Sequence, residues 1–252
     1  MKIAVITGAS SGLGAEYVSA VIKERPALDE VWVIARRAER LEKLKSRFGD
    51  KIRPVPMDIT DAAAVEEYRR ALESSGAEVQ LLINNAGFGK LGNFDELAAK
   101  DNAGMVRLNC EALTVMSSVT LPFMKNGAEI INTCSIASFA PNSRMAVYCS
   151  TKAFVMSLSR CMRAELRRRG INAIAVCPGP MDTEFLALAD IAPGASHTFD
   201  TLPRVNPRDV AYKSLRASAK KRAVYTNRFF YKFYRVVAKI LPHALVMKMS
   251  AA

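Results

Sequence analysis

The stretch Ile6-Thr7-Gly8-Ala9-Ser10-Ser11-Gly12-Leu13-Gly14 decides the fold of this chain. It follows the apolar run of residues 2–6 and enters residues 13–25, where apolar side chains recur three and four positions apart. A strand that passes into a helix through a glycine-rich turn is the context of a dinucleotide-binding turn, with helix N–H groups facing the phosphates. A glycine-rich connection without a ligand is the alternative, because the spacing departs from Gly-x-Gly-x-x-Gly.

Further apolar runs alternate with helical patterns along the chain. The runs are rich in Val and Ile, which is typical of buried parallel strands, and they cover residues 31–35, 52–56, 79–84, 129–133 and 171–177. The helical patterns cover residues 38–47, 61–74, 102–124 and 146–168. This order predicts an α/β fold with a doubly wound parallel sheet of the Rossmann kind. We expect a dinucleotide-binding and catalytic domain at residues 1–220 and a basic C-terminal extension at residues 221–252.

The composition excludes several classes of protein. The chain has 252 residues, of which 50% are apolar and 24% charged, so a large core is expected and disorder is not. No apolar run reaches the roughly 18 residues of a membrane-spanning helix, and residues 2–6 show no signal-peptide pattern. Five cysteines without a Cys-x-x-Cys pair, together with two histidines, predict no metal site. We therefore expect a cytoplasmic protein with reduced cysteines.

The end of the second predicted strand indicates which dinucleotide binds. An NAD-binding turn places an acidic residue about 20 positions after the glycines, where it binds the ribose 2′-hydroxyl. This chain has Arg36 and Arg37 there instead. Two guanidinium groups suit a 2′-phosphate, through charge-assisted hydrogen bonds. Solvated charges are the alternative, but cations at a helix N-terminus are mildly unfavourable. The sequence therefore predicts NADP(H).

A tyrosine and a lysine are spaced for proton transfer. Tyr148 and Lys152 lie four positions apart in a predicted helix, so their side chains share one face. A phenol is a poor acid or base at neutral pH, but a nearby ammonium lowers its pKa. The pair then suits proton exchange with an alcohol or ketone oxygen. Ser135 follows the strand at 129–133, near the sheet edge where ligands bind, and its hydroxyl suits the same oxygen.

Together these motifs resemble those of the short-chain dehydrogenase/reductase family, in the family's order, from residue 2 to about residue 220. Ser135 lies thirteen positions before Tyr148, as the family's catalytic serine does. The resemblance implies an NADP(H)-dependent oxidoreductase that interconverts a ketone and a secondary alcohol by hydride transfer at the nicotinamide. A non-catalytic NADP(H)-binding sensor or scaffold is the alternative, and the intact catalytic positions argue against it.

By the same resemblance, four residues have catalytic roles. Tyr148 is the general acid or base, and Ser135 orients the substrate oxygen. Lys152 lowers the pKa of Tyr148 and holds the nicotinamide ribose. Asn109 anchors a water molecule in the proton relay.

The resemblance also implies where the cofactor binds. Asp58 contacts the adenine ring, and the stretch Asn84-Asn85-Ala86-Gly87 steadies the central sheet beside the cofactor. The Pro178-Gly179 pair and Thr183 close over the nicotinamide. The cofactor-binding residues assigned in this way are Gly8, Ser10, Ser11, Gly12, Leu13, Gly14, Arg36, Arg37, Asp58, Ile59, Asn85, Ala86, Gly87, Tyr148, Lys152, Pro178, Gly179 and Thr183.

The net charge of +12 is concentrated in a basic C-terminal tail. From residue 204 onward the chain has twelve Lys or Arg residues and one acid, Asp209. Residues 225–241 combine apolar and basic side chains at helical spacing, which predicts a basic amphipathic helix. It either packs its apolar stripe on the domain, bordering the substrate pocket, or binds an anionic membrane surface through residues 220–241 at the inner side of the membrane. We favour packing slightly. Nucleic-acid binding is disfavoured, since no recognition motif is present.

The segment 181–207 lacks periodicity and is expected to form a substrate loop. Its apolar side chains suggest a pocket wall for a lipophilic small molecule, such as a steroid-, acyl- or lipid-like ketone or alcohol; they are Phe185, Leu186, Leu188, Ile191, Phe199 and Leu202. The C-terminus lacks the Gly-Gly ending of the family's compact tetramers. The lack of this ending argues against the usual tetramer. The resemblance still implies a homo-oligomer, as either a homodimer or a homotetramer.

Overall fold

Seven parallel strands form a single sheet in the computed structural model, which describes residues 1–192, 194 and 200–249. Their order across the sheet is β3-β2-β1-β4-β5-β6-β7. The strands are β1 (Lys2–Thr7), β2 (Glu30–Ala35), β3 (Ile52–Pro56), β4 (Glu78–Asn84), β5 (Glu129–Thr133), β6 (Asn172–Val176) and β7 (Val224–Tyr225). The predicted doubly wound parallel α/β sheet is confirmed. Phe199 of the predicted substrate loop lies outside the described residues.

Helices cover both faces of the sheet. They are α1 (Gly12–Glu24), α2 (Ala38–Phe48), α3 (Ala62–Ser74), α4 (Ala99–Val106), α5 (Leu113–Thr120), α6 (Ala146–Leu166), α7 (Glu184–Leu188), α8 (Pro207–Ala219), α9 (Phe229–Ile240) and α10 (His243–Met249). Successive strand residues face opposite layers. Val33 belongs to the buried cluster that includes residues of α1 and α8, while Ile34 belongs to the cluster of the other face, which includes residues of α3 and α5. Both layers are apolar, which explains the continuous Val and Ile runs of the strands.

A chain of buried polar side chains crosses the centre of the sheet. Asn84 of β4 and Asn132 of β5 are register partners, and Asn84 Nδ2 donates to Asn132 Oδ1 at 2.9 Å. Asn84 Nδ2 also donates to Ser117 Oγ on α5, and Asn132 Nδ2 donates to Ser159 Oγ on α6, each at 2.9 Å. These bonds tie the two central strands to both flanking helices.

The helix expected over residues 102–124 is interrupted. A π-helical segment, Arg107–Ala112, separates α4 from α5, and the short 3₁₀ turn Leu121–Phe123 follows. A π-bulge inserts an extra residue into a helix and often marks a functional site. Here it contains Asn109, so the departure from a regular helix coincides with a predicted catalytic position.

The C-terminal segment contributes to the sheet and then forms two helices. β7 pairs with β6 at its edge, and the chain continues into α9 and α10. α9 buries Tyr231 and Ala238, while much of its apolar stripe is exposed. The favoured interpretation is therefore wrong in that this stripe does not pack on the domain, because the aromatic and small side chains of the opposite face make the contact. Its second part holds, since Phe230, Phe233 and Val237 border the cavity. Within the described ranges, no helix is long and apolar enough to cross a membrane.

Candidate active site

A cavity of about 1320 Å³ lies along the carboxyl ends of the strands, where ligands bind in open parallel sheets. Its walls come from the glycine turn, the ends of β2, β4, β5 and β6, the first turns of α6, and α7. All predicted catalytic and cofactor residues are in the described part of the chain. Gly14 and Asn109 are the two of them that do not line the cavity.

The glycine turn presents a helix end to one side of this cavity. α1 begins at Gly12, and Ser11 at its N-cap makes no side-chain capping bond within the described residues. The first N–H groups of α1 lack that partner, and its first turn holds no acid, so the positive end of the helix dipole suits an anionic group. A Cβ on Gly14 would lie 2.0 Å from the Gly8 carbonyl oxygen. Gly14 is therefore needed for close helix–strand packing rather than for direct ligand contact.

Thr7, at the end of β1, connects the turn to the neighbouring strand. Its hydroxyl accepts hydrogen bonds from the backbone N–H groups of Asn85, at 3.0 Å, and Ala86, at 3.2 Å. The Asn85 side chain donates to the Gly8 carbonyl at 3.3 Å, so the turn and the end of β4 form one unit. Sequence reasoning did not assign Thr7 a role; its hydroxyl at the last position of a buried strand was the available signal.

The predicted phosphate-binding arginines behave differently from each other. Arg37 Nη2 donates to Ser10 Oγ at 3.1 Å, to Ser11 Oγ at 3.0 Å and to Glu184 Oε2 at 3.0 Å. Arg36 is exposed and lies 3.9 Å from the Asp58 carboxylate. Arg37 therefore faces the glycine turn, while Arg36 lies at the outer rim of the cavity.

Arg40 and Glu184 complete this charged cluster, and the sequence analysis missed both. Arg40 donates to Glu184, which begins α7 in the predicted substrate loop. The bond from Arg40 is the largest cause that lowers the pKa of Glu184 to about 2; burial opposes it, and the bond from Arg37 adds to the lowering. Arg40 lies three positions after Arg37 on α2, so helical spacing was a signal for it. The carboxylate, 147 positions from Arg37, gave none.

Asp58 lies at the other end of this rim. Thr60 donates to its Oδ1 from the backbone N–H, at 2.9 Å, and from the hydroxyl, at 2.7 Å. Partial burial raises the pKa of Asp58, but the Thr60 bonds and the Arg36 charge outweigh it and leave a lowered pKa. Asp58 is thus an ionised acceptor on the cavity wall, and its neighbour Ile59 also lines the cavity.

Ser135, Tyr148 and Lys152 converge deep in the cavity. Tyr148 is buried, and its ring centroid lies 5.6 Å from that of Phe185 and 5.7 Å from Lys152 Nζ. Burial raises the pKa of Tyr148 above its ordinary value, and the bond with Ser135 offsets only part of this. The expected lowering by Lys152 is absent. The Lys152 ammonium donates to the Thr133 carbonyl at 3.0 Å, and burial lowers its own pKa.

Asn109 is buried behind the cavity, and its side-chain amide forms hydrogen bonds with other residues of the protein. Its Oδ1 accepts from the Phe88 N–H at 3.0 Å, and its Nδ2 donates to the Phe88 carbonyl at 2.8 Å. A third bond, at 3.1 Å, runs from Nδ2 to Thr151 Oγ1 on α6. The side chain thus fixes the segment after β4 against the helix of Tyr148. The structure gives it a positioning role and no direct exposure to the cavity.

The segment after β6 is held by the C-terminal helix. The Gly179 N–H donates to Asn227 Oδ1 at 3.1 Å, and a Cβ on Gly179 would lie 2.3 Å from the Tyr231 ring. Tyr231, on α9, donates its hydroxyl to the Pro203 carbonyl at 2.7 Å. The predicted Pro178-Gly179 segment therefore needs glycine because an aromatic ring lies directly on it. Sequence reasoning assigned no site role to Asn227 or Tyr231.

The remaining wall of the cavity is mostly apolar. α6, the predicted substrate loop and the C-terminal helices supply it. Its apolar members include Phe88, Met145, Phe185, Leu186, Leu188, Leu202, Phe230, Phe233, Val237 and Val246. Thr183 caps α7 by accepting from the Phe185 N–H at 3.4 Å, which places this wall beside the Gly179 segment.

Comparison with known proteins shows which family this chain resembles. Residues 2–191 match the family model described as short chain dehydrogenase. The chain is 34% identical over 187 residues to serine 3-dehydrogenase of Agrobacterium fabrum, covering 72% of each chain. It is 32% identical over 202 residues to the probable oxidoreductase EphD of Mycobacterium tuberculosis, covering 75% of this chain. That match spans only 33% of the EphD length.

A solved structure shows the same similarity in three dimensions. The closed form of serine dehydrogenase complexed with NADP+ superposes with a TM-score of 0.80 at 28% identity. The alignment covers 89% of this chain and 94% of that one. The sequence family and the fold therefore agree.

Proposed function

The chain belongs to the short-chain dehydrogenase family of oxidoreductases, and on that premise we propose that it uses NADP(H) to interconvert a lipophilic ketone and its secondary alcohol. The convergence of Ser135, Tyr148 and Lys152 in a cavity whose α7 side is mostly apolar supports this proposal. The cavity is large enough for a dinucleotide at the glycine turn together with a small apolar substrate at the α7 side.

In the proposed reduction, Tyr148 acts as the general acid. When bound, the nicotinamide supplies the hydride to the carbonyl carbon. Tyr148 donates its phenolic proton to the carbonyl oxygen, so ketone, hydride and proton give the alcohol. Burial raises the Tyr148 pKa, so the phenol holds its proton at neutral pH, but the same shift makes it a weaker acid than a phenol in water. Ser135, which also interacts with Tyr148, orients the same oxygen by a hydrogen bond.

The other site residues position these two groups and the cofactor. Lys152 is the residue that would hold the nicotinamide ribose, since its ammonium lies beside both Tyr148 and the Thr133 carbonyl. Asn109 supports the Phe88 segment against α6. The first N–H groups of α1, which the Ser11 side chain does not cap, suit the pyrophosphate.

The cationic rim supports NADP(H) over NAD(H). Arg37 and Arg40 converge on one carboxylate, that of Glu184, and Arg36 flanks them at the rim. A 2′-phosphate has the charge and acceptor geometry to replace that carboxylate. Arg36 and Arg37 keep their predicted role in this proposal, and Arg40 joins them.

A tyrosine exchange tests the proposed function. Tyr148→Phe should lower turnover of NADPH with apolar ketones by a factor on the order of 10² to 10⁴, the usual contribution of general acid catalysis. NADPH affinity, measured by fluorescence titration, should stay nearly unchanged. Tyr212→Phe is the matched control, because it removes a hydroxyl that bonds the Ser19 carbonyl outside the cavity. A fully active Tyr148→Phe enzyme would overturn the assignment. Tight NADPH binding without turnover of any ketone would favour a sensor or scaffold.

Assembly and location complete the proposal. Resemblance to the family supports a homodimer or a homotetramer, and the free cysteines support a cytoplasmic location. Sedimentation velocity of the full chain measures the oligomeric state, and cell fractionation measures the location. A monomer at micromolar concentration would contradict the proposed assembly.

A further inference from the structure

The outer face of α9 is apolar and exposed. Phe229, Phe233, Val236 and Ile240 are 83%, 59%, 51% and 72% exposed. At 3.6 residues per turn these four side chains fall within about 60° of one another and extend about 17 Å along the helix axis. We call these four residues the outer stripe. A contiguous apolar surface of this kind on a folded protein indicates an interaction site.

The charged residues of α9 are all cations. Lys232 and Lys239 are exposed along one side of it, and in the described part of the chain neither pairs with a carboxylate. Exposed Arg228 precedes the helix, and the basic run at residues 220–222 lies shortly before it. No acidic residue follows Asp209 in the sequence. The charged residues of α9 itself are therefore all positive, and the nearby acid Asp209, which shares a pocket with Lys232, is paired with Lys213.

This combination of apolar area and positive charge fits one occupant. We propose that α9 docks on an anionic lipid bilayer, with its axis in the plane of the interface and the outer stripe inserted among the acyl chains. Lys232 and Lys239 then lie at the level of the headgroups, where each cation adds attraction. A second copy of this chain fits less well, because its stripe would bring an equal set of cations against these. The four residues of the stripe lie outside α9's buried face, so docking needs no rearrangement of the fold.

Docking would also orient the cavity. Phe230, Phe233 and Val237 of the same helix line it, so the cavity wall on this side adjoins the outer stripe. A substrate dissolved in the bilayer could then enter without crossing water. This last step rests on the proposed function, whereas the docking itself does not.

The test is co-sedimentation of the full chain with vesicles of phosphatidylcholine alone or with about one-third phosphatidylglycerol. We expect binding to the anionic vesicles at 50 mM KCl and at least tenfold weaker binding at 500 mM KCl, because salt screens surface charge over a Debye length of a few Å. Two variants separate the contributions. Phe229→Ser with Ile240→Ser removes apolar area, and Lys232→Glu with Lys239→Glu reverses charge.

Neither variant touches the cavity lining, so NADPH binding reports whether each is folded. Both should bind anionic vesicles at least tenfold more weakly. The matched controls are Phe94→Ser, at another exposed phenylalanine, and Lys43→Glu with Lys45→Glu on α2; both should bind as the parent does. Absence of binding to anionic vesicles at 50 mM KCl would overturn the proposal. So would a parent dimer that the Phe229→Ser and Ile240→Ser changes convert to a monomer without any vesicle binding. Failure of ketone turnover with intact vesicle binding would contradict the proposed function alone.

Discussion

Replacing Glu184 by glutamine should tighten the binding of NADPH. In the structure the Glu184 carboxylate occupies Arg37 and Arg40, the two guanidinium groups that suit a 2′-phosphate. A phosphate that binds there has to displace the carboxylate or lie beside its negative charge. Glutamine keeps the shape of the side chain and removes the charge, so the arginines become available at lower cost.

The geometry sets the size of the effect. The two ion pairs are well formed, but their side chains are between 36% and 42% exposed, so solvent screens them. Pairs of this kind contribute about 0.5–1 kcal/mol each. Together they amount to about 1–2 kcal/mol, which corresponds to roughly a five- to thirtyfold lower Kd for NADPH. NADH lacks the 2′-phosphate, so its Kd should change much less.

Fluorescence titration of both cofactors against both proteins measures this ratio directly. Glu39→Gln is the matched control, because Glu39 is an exposed acid in the first turn of α2, between Arg37 and Arg40 in the sequence. It should leave the ratio of the two Kd values unchanged. An NADPH Kd that stays constant or rises in Glu184→Gln would refute the view that this carboxylate stands where the phosphate binds.

Three further outcomes are expected. Arg36→Ala combined with Arg37→Ala should weaken NADPH more than tenfold and NADH far less, since charge-assisted bonds are worth about 1.5–3 kcal/mol each; equal use of both cofactors by the parent enzyme would contradict this. Gly179→Ala should lower stability by about 1–3 kcal/mol, measured by urea unfolding, because its Cβ would overlap the Tyr231 ring; an unchanged midpoint would show that the ring moves freely. The pKa of Glu184 is lowered from 4.5 to about 2, so its ion pairs stabilise the fold fully above pH 4.5 and lose that effect as the pH falls towards 2. The difference in Tm between the parent and Glu184→Gln should shrink over that interval, and a constant difference would argue against the pairing.

Local patterns were enough to predict most of the fold. Six strands were predicted from Val- and Ile-rich runs. Both faces of these strands are buried, so most of their positions are apolar and the run is visible in the sequence. The seventh strand, Val224–Tyr225, has only two residues, too few for any periodicity. The π-helical segment Arg107–Ala112 also escaped prediction, because its apolar spacing continues that of the helices on either side.

The site residues also fall into those that the sequence predicts and those that only the structure reveals. The cofactor turn and the residues Ser135, Tyr148 and Lys152 follow from short spacings, and the structure brings them to one cavity. The Glu184 contacts join residues more than 140 positions apart, and only the folded chain brings them together. The orientation of α9 is a third case. Apolar side chains cover more than half of its circumference, so periodicity alone does not decide that Tyr231 and Ala238 face inward.

The polar pair at the centre of the sheet has a consequence for folding. Asn84 and Asn132 meet only when β4 and β5 pair in the observed register. A slip of β5 by one residue would turn Asn132 to the other face and break its bond with Asn84 among apolar groups, at about 1–3 kcal/mol for each group left without a partner. Hydrophobic contacts between Val, Ile and Leu tolerate such a shift far better, because those residues are nearly interchangeable. The two asparagines therefore favour the correct register of β4 and β5 over slipped registers while the sheet assembles.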